Sequence, residues 1–129
     1  MNHAILISAY TADNSDKDNA SETQVLEAAI MGIVSAVPGA SYARAVGVYQ
    51  GETEKSFMVV FPNYEARVMR KVFTSLSEDF NQECFLYVGD KGAASLEDSN
   101  GSKTIGRFLP STDTNGDCTI VNGNTYVVK

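Results

Sequence analysis

The chain holds one histidine, His3, among its 129 residues. That scarcity excludes metal centres built on histidine clusters and a Ser–His–Asp triad within one chain. Cysteine is almost as rare: Cys84 and Cys118 stand alone, without metal-type spacing. Cys84 falls in an expected strand, where a buried free thiol is the default. One bridge between the two remains open on sequence grounds, although a reducing cytoplasm suits so few cysteines better. The 10 basic residues are scattered, with only Arg67, Arg70 and Lys71 near one another, against 16 acidic ones. Phosphate backbones are held by a concentrated positive field, so nucleic acid is excluded as a partner. No segment has the length of a membrane span, and residues 1–10 lack the length and flanks of a signal peptide.

What is present is an ordinary globular composition, 43% hydrophobic and 20% charged, with a formal charge of −6. We read residues 1–129 as a single domain, with a core over 1–90 and a C-terminal β extension over 103–129. Ala4 to Tyr10 is an apolar run that reads as a buried strand. Polar turn-formers over 11–20 read as a loop. Ser21 and Gln24 form a capping-box pattern, after which Val25, Leu26, Ala29, Ile30, Ile33, Val34 and Val37 recur at helical spacing until Pro38-Gly39. Tyr42 to Gln50 and Glu54 to Phe61 read as strands. Asn63 is placed to cap a second helix with the stripe Val68, Met69, Val72, Phe73 and Leu76. Glu83 to Val88 reads as the fourth strand, and residues 90–101 as flexible. Asn122-Gly123, between two β-patterned runs, predicts a tight hairpin.

The order β-α-β-β-α-β predicts an α+β fold, a ferredoxin-like antiparallel sheet with two helices on one face. The face under the helices carries Val46, Val48, Phe57, Val59 and Phe61. The opposite face carries Ala43, Ala45, Gly47 and Tyr49 against Glu54, Ser56, Met58 and Val60. Small residues there admit another backbone or a ligand. Such an uncovered face predicts a homo-oligomer.

Between the second and third strands lies Tyr49-Gln50-Gly51-Glu52-Thr53-Glu54. A two-residue turn at Gly51-Glu52 pairs Gln50 with Thr53 and Tyr49 with Glu54. A phenol beside a carboxylate suits a cationic small molecule. Taken singly, Tyr49 reads as a packing residue with a wet hydroxyl, and Glu54-Lys55 as solvated charge.

Several short stretches, in this order and spacing, change that balance. They are Leu6-Ile7-Ser8-Ala9-Tyr10, Gly47-Val48-Tyr49, Glu54-Lys55, Phe80-Asn81-Gln82-Glu83-Cys84, Arg107-Phe108-Leu109-Pro110 and Cys118-Thr119-Ile120. Together the chain resembles the bacteriophage S-adenosylmethionine lyases, although its hairpin turn is shorter and the loop after Tyr87 differs. The resemblance implies a PII-like trimer with sites at subunit interfaces, in the cytoplasm of an infected bacterial host. It also implies cleavage of S-adenosylmethionine to 5′-methylthioadenosine and homoserine lactone, without a cofactor, counteracting host restriction and methylation. Carried over by position, Glu54 matches an essential glutamate and Tyr49 a site tyrosine. Gln82 and Glu83 match a glutamine and an acidic residue at the fourth strand. Ser8 and Tyr10 open a loop suited to clasping adenine, and Tyr10 reads equally well as a lid for the core.

Two non-catalytic readings stand beside this one. A phage anti-defence sponge that sequesters cyclic nucleotide or cyclic ADP-ribose signals resembles the chain in several strands. It requires converging cations, for which Arg44, Arg107 and Lys103 are the candidates. A PII-type regulatory trimer shares the expected fold, and fold alone does not choose.

Overall fold

The computed structural model describes residues 2–11, 14–49, 51–112 and 116–129, without the Tyr49 side chain. In chain order the elements are β1 (Asn2–Ser8), α1 (Asp16–Ala36), β2 (Ser41–Tyr49), β3 (Glu52–Pro62), α2 (Ala66–Asp79) and β4 (Phe85–Val88). Then follow β5 (Ala93–Asp98), β6 (Gly101–Pro110), β7 (Cys118–Val121) and β8 (Asn124–Val128).

The expected ferredoxin-like sheet, open and helix-covered on one face, does not form. All the strands instead join one closed barrel in the order β1-β3-β2-β7-β8-β6-β5-β4, antiparallel throughout. The reason lies at the sheet's edges. Strands β4 and β2 would each leave a row of unpaired backbone groups, and closure removes such edges. Here β5 takes the free side of β4, and β7 the free side of β2. Residues 93–98, within the stretch expected to be flexible, form that fifth strand. The small residues Ala43, Ala45 and Gly47, expected to face a partner, line the barrel interior through their pairing with Met58, Ser56 and Glu54. A second copy is no longer needed to cover them.

Local signals explain most boundaries. Helix α1 begins before Ser21: the Ser15 hydroxyl accepts the Asp18 N–H at 3.1 Å, and Asp16 and Asp18 occupy the first turn. A serine cap followed by acids is the favoured start of a helix. Gly39, at φ 81°, follows its end. Asn63 opens a short 3₁₀ turn before α2 rather than capping the helix by its side chain. The β7–β8 hairpin forms at Asn122-Gly123, with φ 51° and 79° at the two positions. Both being positive is the mark of a type I′ turn.

Two apolar clusters divide the molecule. Outside the barrel, Leu26 and Ile30 of α1 and Met69 and Phe73 of α2 pack on Ile5, Phe57, Val59 and Phe61. The other cluster fills one end of the barrel: Ala4, Leu6, Val88, Ala94 and Phe108, with Met58, Val60, Leu86 and Tyr126 against them. A half-buried ion pair ties α2 to β5, where Arg70 donates to Glu97 at 2.9 Å and Ser95 to the same carboxylate oxygen at 3.0 Å. The guanidinium also lies 4.0 Å over the Tyr87 ring.

Candidate active site

Alternation along the strands decides what the barrel contains. On β1 the inward positions run Ala4, Leu6, Ser8, and on β3 Val60, Met58, Ser56, Glu54, paired Ala4 with Val60, Leu6 with Met58 and Ser8 with Ser56. One end is therefore apolar and plugged, and the other is polar. At the polar end lies a cavity of about 440 Å³, whose lining includes Ser8, Glu54, Ser56, Gln82, Thr119, Phe108 and Tyr126. Eight-stranded barrels are wide enough to hold one small ligand, and the volume lies in the usual range for such sites.

The β2–β3 turn differs from expectation by one position. Tyr49 pairs with Glu52, Val48 with Thr53 and Glu54 with Gly47. Gly51 has φ 81°, which suits the second loop position of a tight turn and would suit Glu52 poorly there. Positions 49 and 54 are thus diagonal neighbours, about 7–8 Å apart rather than directly opposed. Gln50, expected to pair with Thr53, lies outside the described residues, as does the Tyr49 side chain.

Glu54 stands where two recesses meet. It lines the barrel cavity, and also a polar cleft with Tyr10, Thr11, Asn14, Asp16, Asn19, Glu52 and Thr53. Burial pushes its carboxyl above the ordinary value, and a hydrogen bond from Ser8 partly opposes this. The Ser8 hydroxyl has one proton, which it also offers to the Lys55 carbonyl at 3.0 Å while accepting the Tyr10 N–H at 3.0 Å. Among the described residues no lysine or arginine forms an ion pair with Glu54.

The remaining expected residues divide. Gln82 reaches the cavity, but its amide Nε2 donates to the Tyr10 carbonyl at 2.8 Å. It thereby ties the α2–β4 connection to the loop after β1. Glu83 is exposed and lines neither recess; its charge helps push the Cys84 thiol up, after the larger effect of burial. Both cysteines are free and line the cavity. The cations a phosphate ligand requires are elsewhere. Arg44 pairs with Glu27 at 2.8 Å, and Arg107 donates to the Lys91 carbonyl. Among the described residues no lysine or arginine lines the barrel cavity.

Gly47, Ser56, Thr119 and Tyr126 did not stand out as site residues in the sequence. The signal that finds them is register: Ser8 pairs with Ser56, Glu54 with Gly47, Gly47 with Thr119, and Thr119 with Tyr126. Among known proteins, the model of a family described as the S-Adenosylmethionine lyase family matches residues 5–129. A search of curated proteins finds no match.

Proposed function

We propose that this chain, which belongs to the S-adenosylmethionine lyase family, splits S-adenosylmethionine by intramolecular attack of the substrate's own carboxylate. A carboxylate oxygen bonds to the γ-carbon as the bond from that carbon to sulfur breaks. The bonding pair stays on sulfur and neutralises the sulfonium. The products are 5′-methylthioadenosine, which is neutral, and homoserine lactone, which keeps the ammonium charge. No proton moves and no protein nucleophile takes part.

The observation that carries this reading is Glu54, half-buried at a cavity mouth without a cationic side chain beside it among the described residues. A carboxylate in that position is destabilised by desolvation, and a bound cation offsets the loss. The ligand it selects is positively charged, as a sulfonium is. The acidic cleft with Asp16 and Glu52 receives the α-ammonium, and this leaves the substrate carboxylate turned back towards the γ-carbon. Positioning of that kind contributes about 7–11 kcal/mol where the geometry is near attack. Apolar walls assist, because charges that cancel in the reaction are better solvated at its start than at its transition state.

In this reading Glu54 holds the cation and Ser8 orients Glu54. Tyr49 borders the sulfonium, and Gln82 positions the Tyr10 backbone at the cleft. A trimer with subunits meeting near the cleft, and action in an infected bacterium's cytoplasm against restriction and methylation, belong to the same proposal. A phosphate-binding sponge fits less well, since acids rather than cations surround the recesses. The test is incubation of the pure protein with S-adenosylmethionine and chromatography for both products. Absence of methylthioadenosine at high enzyme concentration overturns the proposal.

A further inference from the structure

We propose that Asn19 is a positioning residue, whose side chain holds the Thr11 backbone so that one wall of the acidic cleft is formed before the ligand arrives. The inference rests on the function proposed above and adds what keeps that part of the site in place.

The hydrogen bonds of one short segment carry the argument. The chain leaves β1 at Ser8 and enters α1 at Asp16. Between them, the backbone groups of two successive residues are bonded to side chains. The Tyr10 N–H donates to Ser8 Oγ at 3.0 Å, and the Tyr10 carbonyl accepts from Gln82 Nε2 at 2.8 Å. The Thr11 N–H donates to Asn19 Oδ1 at 3.0 Å, and the Thr11 carbonyl accepts from Asn19 Nδ2 at 3.3 Å. The Asn14 N–H reaches the same carbonyl at 3.3 Å. A surface loop can leave such groups to water. Here β1, α1 and the α2–β4 connection each supply a side chain to them.

Asn19 is the member whose chemistry is exacting. A carboxamide carries an acceptor and a donor on one planar group, and that fork matches the N–H and the carbonyl of a single residue. An ionised aspartate only accepts, a serine has one oxygen, and a glutamine is a methylene longer. Asparagine is also a poor helix former, so its place in the first turn of α1 follows the tertiary contact rather than local propensity. The residue is buried, and its own backbone is fixed at both ends. Its N–H donates to the Ser15 carbonyl at 2.9 Å, and its carbonyl accepts the Thr23 hydroxyl at 2.7 Å. Tyr10, Thr11 and Asn19 line the cleft that also bears Glu52 and Glu54. A segment ordered on folding spares the ligand the cost of ordering it. A neighbouring subunit that completes the site meets this wall already formed.

Asn19→Ala removes the fork, and Asn19→Leu removes it while filling the space. In each folded variant, amide hydrogen exchange read by NMR is expected to be about tenfold or more faster at the Thr11 N–H, beyond any change at the β1 amides. S-Adenosylhomocysteine, which has no sulfonium to break, is the binding probe. Its Kd by calorimetry is expected to rise about three- to tenfold, the range of one net hydrogen bond. KM for S-adenosylmethionine should rise alike with kcat within about twofold, the signature of lost binding rather than lost chemistry. Glu97→Ala, at a residue that lines neither recess, should keep the parental Kd and KM despite its lower stability. Parental Kd in both folded Asn19 variants overturns the positioning role and leaves the reaction standing. Unchanged exchange at Thr11 overturns the fork itself. Weakened binding in the variants of a parent that does not turn over S-adenosylmethionine overturns the reaction and leaves the positioning role.

Discussion

Glu54→Gln removes a charge while nearly preserving shape, so its effect measures how much the carboxylate does as an ion. A unit cation about 4 Å from it gains about 4 kcal/mol at an effective dielectric near 20, and about 1 kcal/mol in bulk water. Glu54 is only half-buried, and the loss should fall between those limits. In kcat/KM for S-adenosylmethionine that is roughly fivefold to a thousandfold. Two unreactive ligands then locate the charge that is felt, with affinities read by calorimetry. Methylthioadenosine has no charge and should bind the variant as it binds the parent. S-Adenosylhomocysteine keeps the ammonium without the sulfonium, so its loss reports the ammonium alone. Because burial raises the Glu54 carboxyl, parental activity should fall as pH drops through a value above the ordinary glutamate range. The variant should lack that limb. The sign for stability is opposite. A raised acid binds its proton more tightly folded than unfolded, so ionising it costs the folded state as pH rises. Glu54→Gln should therefore melt no lower than the parent at neutral pH. Its advantage should shrink between the raised folded value and the ordinary one. Equal weakening of both ligands would refute the electrostatic reasoning, since a neutral nucleoside does not sense a lost charge.

Gln82→Ala removes the 2.8 Å bond to the Tyr10 carbonyl and should cost about 0.5–1.5 kcal/mol in urea unfolding. KM should rise more than kcat falls, and an unchanged KM would show that the tether does not shape the cleft. Glu97→Ala leaves Arg70 and Ser95 without their shared acceptor. Arg70 is 45% exposed and can turn to water, so the cost should be about 2 kcal/mol rather than the ~3–5 kcal/mol of a fully buried pair. Differential scanning calorimetry measures it, and Glu97→Gln should recover part. Gly123→Ala places a side chain at φ 79° and should cost about 1–2 kcal/mol, read as a lower denaturation midpoint with activity per folded molecule preserved. Light scattering at micromolar concentration tests the trimer, for which a monomer mass is the refuting result.

Secondary structure was accessible in the sequence because it depends on neighbours. The helical stripe through Leu26 and Ile30, the run through Met69 and Phe73, and the Asn-Gly turn all act over a few residues. Glu54, Ser8 and Gln82 were also nameable, and the fold gathers them at one cavity. Glu83 was nameable but stands exposed in the bend before β4, where strand alternation does not aim a side chain at the cavity. Barrel closure was not readable. Nothing local in Ala93–Asp98 states that it pairs with β4, and nothing in Cys118–Val121 names β2 as its neighbour. Those pairings satisfy edges created by other segments. Nor did the chain's order reveal that Gly47, Thr119 and Tyr126 share a tier with Glu54. Strand parity tells which residues share a face, whereas register between distant strands is set only when the whole sheet closes.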